Sequence, residues 1–85
     1  MATATTRDPG LTRGKAYVGL QHYAIHYSSI DTETVTPGVE GIVHCAWEPD
    51  TFVDAGAATV GSSTEVAFVA TSGPHAGTLH VWARA

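Results

Sequence analysis

From Lys15 onward the chain is a series of short apolar runs rich in Val, Ile, Tyr, Phe and Trp, broken by Gly, Pro, Ser, Thr and Asp. That texture predicts β-strands joined by turns, recurring at the spacing of a small sandwich or barrel. Strands are expected over residues 16–28, 40–48, 64–71 and 78–84, with a short run at 51–54 and an edge strand at 32–36. Residues 53–60 are the one stretch that could turn as a helix, and Gly56 weakens it. Alternation in the last run puts Leu79, Val81 and Ala83 on one face and His80, Trp82 and Arg84 on the other. In the first run Val18 and Leu20 have one parity and Tyr23, Ile25 and Tyr27 the other. A bulge or bend near Gln21-His22 would restore a single inward face. Gly73-Pro74 and Gly77 give residues 71–78 the chemistry of a hairpin loop. The pattern predicts an all-β fold: a small antiparallel sandwich or barrel of about five to seven strands.

Length limits what such a fold can hold. The chain has 85 residues and 8.8 kDa, one domain's worth. A domain this small buries only about 60–65% of the surface its unfolded chain exposes, so outside support is expected. Cys45 is the sole cysteine and cannot close an intrachain disulfide. A metal, a partner or self-association would have to supply the support. Apolar residues at 44% and charged residues at 14% exclude a disordered chain. No run approaches the roughly 18 apolar residues of a membrane span, and Met-Ala-Thr-Ala-Thr-Thr is too polar to open a secretory signal. No membrane association is expected.

The net charge of −4 is unevenly spread. Arg7, Arg13 and Lys15 fall in the first fifteen positions, opposed only by Asp8, while residues 16–83 hold seven acids and no Lys or Arg. An acidic body repels a phosphate backbone, so no nucleic-acid partner is expected. Residues 1–14, without periodicity and containing the turn Asp8-Pro9-Gly10, read as an N-terminal arm ahead of a single β-domain over 15–85. Arg7, Arg13 and Lys15 are the candidate partner-binding residues, able to order against an acidic patch on a partner or a neighbouring copy.

Reactive side chains give little. His22, His26, His44 and His80 invite a metal reading, but residues four apart on a strand lie roughly 13 Å apart, beyond the reach of one zinc ion. No CxxC, HxH or HExxH spacing is present. Cys45, in phase with Val43 and Trp47, reads as a small core residue. Gly61-Ser62-Ser63 reads as a turn, and Glu48, Asp50 and Asp54 as acids that solvate one. No phosphate-cradling loop follows a strand. Neither a catalytic centre, a metal nor a cofactor is expected. Aromatic residues are the fuller clue: seven rings exceed what one thin core holds, so some reach an interface. Tyr23, Tyr27 and Trp82 are the candidates, and Trp82 beside His80 could also stack on a sugar ring.

Two segments carry a resemblance. Met-Ala-Thr-Ala-Thr-Thr-Arg-Asp followed by Gly-Leu-Thr-Arg-Gly-Lys-Ala-Tyr-Val resembles the start of small virion proteins of tailed bacteriophages, and Thr71-Ser-Gly-Pro-His-Ala-Gly-Thr-Leu-His-Val-Trp82 resembles their closing hairpin. The resemblance covers about a third of the chain and carries over no binding residue. It implies a β-rich structural protein, foremost a head decoration (cement) protein. Such a protein binds the major capsid protein and copies of itself on the head surface, as a homo-oligomer with a trimer favoured. A tail, neck or fibre-associated adaptor is the alternative within the virion. A small carbohydrate-binding or scaffold module is the alternative outside it.

Overall fold

The computed structural model describes residues 5–8, 10–17, 19–71 and 74–84, with the backbone alone at position 17. Its strands in chain order are β1 (Thr6–Arg7), β2 (Thr12–Tyr17), β3 (Leu20–Ile30), β4 (Glu33–Val35), β5 (Ile42–Pro49), β6 (Gly56–Val60), β7 (Val66–Ala70) and β8 (His75–Arg84). All pairings are antiparallel. One sheet runs β1-β3-β8-β5, with β2 also on the outer edge of β3, and the other runs β4-β7-β6. The two pack face to face as the expected all-β sandwich. The longest dimension, 39 Å, is close to the length of the eleven-residue β3 at about 3.3 Å per residue.

Strict alternation builds the core. Leu79, Val81 and Ala83 of β8 point inward, opposite Ile25, Tyr23 and Gln21 of β3 and opposite Trp47, Cys45 and Ile42 of β5. Val35, Val66 and Phe68 close over them from the second sheet. Each large apolar side chain so buried contributes about 1.5–3 kcal/mol. Cys45 is a core residue, as its neighbours suggested, and burial raises its thiol pKa. Val43 is not in phase with it: the β5–β8 register shifts between Ile42 and His44, and this bulge turns Val43 outward.

The first apolar run is a hairpin rather than one strand. Tyr17 pairs with Leu20 across a two-residue connection, and Gly19 takes φ 79°, a conformation costly for residues with a Cβ. The register with β8 is regular from Leu20 to Tyr27, so there is no bulge at Gln21-His22; Leu20 lies on the outward face with His22 and Ala24, and Tyr23, Ile25 and Tyr27 lie on the inward one. Residues 51–54 are no strand: Phe52–Asp54 forms a 3₁₀ turn. Residues 53–60 are no helix, because β6 pairs with β7 from Gly56 and buries Ala58 and Val60 against the core. The segment after β7 is not a hairpin loop, since β7 and β8 belong to different sheets and the chain crosses between layers there. Ser72 and Gly73 of that connection lie outside the described residues. The edge strand expected near residues 32–36 is present as β4.

Gly77 sits where the Trp47 ring lies across β8. A Cβ there would come within 2.5 Å of the ring and 2.6 Å of the Glu48 carbonyl oxygen. Room would require moving both an indole wedged against Phe68 and a strand backbone. Gly77→Ala is expected to destabilise the protein by about 1–3 kcal/mol, as overpacking does. Urea denaturation of the variant beside the wild type checks this, and an unchanged midpoint would refute the close packing.

Candidate functional site

The outer face of the first sheet gathers residues scattered through the sequence. His22 and His26 of β3, His80 and Trp82 of β8, and His44 and Glu48 of β5 all have outward parity. Ala24, Ala46, Ala76 and Thr78 lie among them. These small residues let long side chains on β3 and β5 meet across β8, two strand spacings or about 10 Å apart.

Two hydrogen-bonded groups result. In the first, Glu48 Oε1 lies 2.7 Å from His80 Nε2, and His80 Nδ1 lies 2.7 Å from His22 Nε2. A carboxylate only accepts, so His80 donates through Nε2. With both rings neutral, His22 donates in turn to His80 Nδ1. Burial, and then the charge of His80, lower the pKa of His22. Trp82 is flanked by His22 and His44 at centroid distances of 4.9 and 5.0 Å. Imidazoles of β3 and β5 thus lie against the half-buried Trp82 ring.

In the second group, His26 stands between two acids. Its Nε2 is 2.9 Å from Asp50 Oδ2 and its Nδ1 bonds Asp8, which also accepts from the Ser28 hydroxyl. Two carboxylates facing both ring nitrogens are satisfied together only by the imidazolium, since neutral imidazole has one N–H. The bonds to Asp8 and then Asp50 raise the pKa of His26, and those from Ser28 and His26 lower that of Asp8. Glu48 and Asp50 thus do more than solvate a turn; Glu48 anchors a histidine on the neighbouring strand β8, and Asp50 one on β3, a strand further on. The even numbering shared by His22, His26, His44 and His80 was the available signal, but which side chains would meet depended on strand order.

No three His, Cys, Asp or Glu side chains among the described residues converge as metal ligands, and no enclosed pocket lies among those residues. The Ser28 hydroxyl turns to a carboxylate rather than to a histidine, and the Cys45 thiol lies on the opposite face of the sheet.

Other residues singled out from the sequence are dispersed. Tyr27 is only 2% exposed and belongs to the core, because its parity matches Ile25; it offers no ring to a partner. Tyr23 is half-buried, with the Arg13 guanidinium 5.7 Å above its ring. Arg7 and Lys15 are exposed on β1 and β2. Among the described residues the most exposed large ring is Phe52, a residue without a distinguishing sequence signal.

The two histidine groups have opposite linkage. The pKa of His26 is raised on folding, so its stabilisation is fully present below about pH 6.5 and fades as pH rises through the folded value. His22 is harder to protonate when folded, so it costs stability as pH falls below about 6.5. In thermal melts from pH 5 to 9, the deficit of His26→Gln against wild type should therefore narrow as pH rises. For His22→Gln the deficit should widen over the same range. Parallel profiles would refute these environments.

In comparisons with known proteins, no family model, curated protein or solved structure matches the chain.

Proposed function

We propose that this is a virion structural protein, a head decoration (cement) protein. It would sit on the capsid surface and stabilise it through contacts with the major capsid protein and with copies of itself, a trimer being the favoured assembly. The observation that carries the reading is the way the N-terminal segment is held. Residues Thr6–Arg7 and Thr12–Tyr17 add to one edge of β3, and none of the described residues among 5–8 and 10–16 belongs to the buried core. A segment held by edge pairing can exchange that edge for another subunit at little cost to the domain, which is the mechanics of strand addition. Arg7 and Lys15, exposed along it, suit an acidic neighbour, and the body of this chain is itself acidic.

The test has two arms. In immunogold electron microscopy of particles from cells that encode the protein, label should cover heads at many regularly spaced positions. Label restricted to a neck or tail would transfer the protein to the adaptor role. Particles without label would overturn the virion reading. Deletion of residues 2–12 should keep cooperative unfolding yet strongly reduce head occupancy; undiminished occupancy would refute the role of the arm.

A further inference from the structure

The 3₁₀ turn Phe52–Asp54 exposes the two most accessible large apolar side chains of the described residues, Phe52 at 90% and Val53 at 63%. An isolated exposed apolar residue is ordinary. This adjacent pair differs because the turn beneath it is fastened from several sides. The Asp54 carboxylate accepts from Thr51 Oγ1 at 2.9 Å and from the Ala76 N–H at 3.2 Å, and lies 3.4 Å from Nδ1 of buried His75. The Asp54 carbonyl accepts from Trp47 Nε1 at 2.9 Å. Backbone bonds join Asp54 N–H to the Thr51 carbonyl and Asp50 N–H to the Ala76 carbonyl. The two apolar side chains are held outward by groups anchored in both β5 and β8, so little ordering entropy remains to be lost on docking.

Acids are gathered at this end of the sheet. Glu48 and Asp50 lie on the chain leading into it, and Asp50 reaches Asp8 through His26. Asp31 follows Ile30, whose strand partner His75 faces Asp54. Arg7 and the His26 imidazolium are the positive groups at this end among the described residues, and the acids outnumber them. An acidic border disfavours an anionic membrane. A second copy is disfavoured too, because its body is itself acidic, with seven acids and no Lys or Arg between residues 16 and 83.

We propose that the Phe52–Val53 tip docks into an apolar pocket bordered by Lys or Arg on a different protein. The proposal stands apart from the virion reading: it assigns the chemistry of a contact, whichever structure carries the partner.

The test places p-benzoylphenylalanine at position 52 of the full chain, or at exposed Thr59 on β6 as the control. After irradiation in the producing cells, adducts are mapped by mass spectrometry. Adducts at 52, and not at 59, should map to apolar residues bordered by Lys or Arg on one other protein. The affinity of the purified pair, measured by titration calorimetry, should fall on the order of tenfold or more with Phe52→Ser. The melting temperature of that variant should stay near wild type, because the ring is exposed. Adducts to another copy of this chain or to lipid, a mapped surface without basic residues, unchanged affinity, or no adduct at 52 would each overturn the proposal. If the captured protein belongs to a capsid, both readings stand. A partner from outside any virion would sustain the tip and refute the virion reading, whereas labelled heads without an adduct at 52 would do the reverse.

Discussion

Strand β8 pairs along both of its edges, with β3 on one side and β5 on the other, and alternation along it is unbroken from His75 to Arg84. Its inward set holds the second sheet against the first. Its outward set carries the residues around which the histidine groups form. Both faces of the first sheet are therefore phased by one strand. A one-residue slip would bring His80 and Trp82 into the core and expel Leu79 and Val81. Gly77 belongs to the same constraint, since the Trp47 ring can cross β8 only where there is no Cβ. That ring in turn holds the Asp54 carbonyl, so the exposed tip depends on a glycine on a neighbouring strand.

The polar outer face is arranged around charge balance. Imidazoles are the groups that meet the acids across β8, and between residues 16 and 83 there is no lysine or arginine to do so. These contacts are half-exposed, so each adds little stability by itself and responds to pH and salt. Their effect is to fix side-chain positions on a flat sheet, whereas the core beneath supplies the cohesion.

How much of this was legible follows from the range of each interaction. The alternation of β8 is local, and Leu79, Val81 and Ala83 could be placed inward from spacing alone. The β2–β3 hairpin left no trace in parity, because Leu20 and Tyr23 both belong to β3 and face opposite sides of one regular strand; Gly19 was the residue that favoured the turn. Residues 53–60 misled because Ala-Gly-Ala-Ala is poor strand material in isolation. Pairing with β7 and burial of Ala58 and Val60 override that preference. The pairs Glu48 with His80 and Asp50 with His26 were out of reach, being 32 and 24 residues apart in sequence and joined only by strand order. Tyr27 shows the same limit, because counting aromatic rings says how many must surface but not which.

The surfaces left for function are distinct in place and in chemistry. The N-terminal strands lie along the outer edge of β3 and carry Arg7, Arg13 and Lys15, while the tip at Phe52 follows β5, on the far side of the same sheet. Basic residues thus mark one flank and an acid-bordered apolar tip the other. A molecule so divided meets its surroundings in a preferred orientation, since the charges that attract one flank to a surface repel the other. The histidine face spans the strands between them and joins the two flanks through Asp8 and Asp50, both bonded to His26. A change in the protonation of His26 would alter the charge at Asp8 and at Asp50 together, so the two flanks share one titrating group although they lie at opposite edges of the sheet.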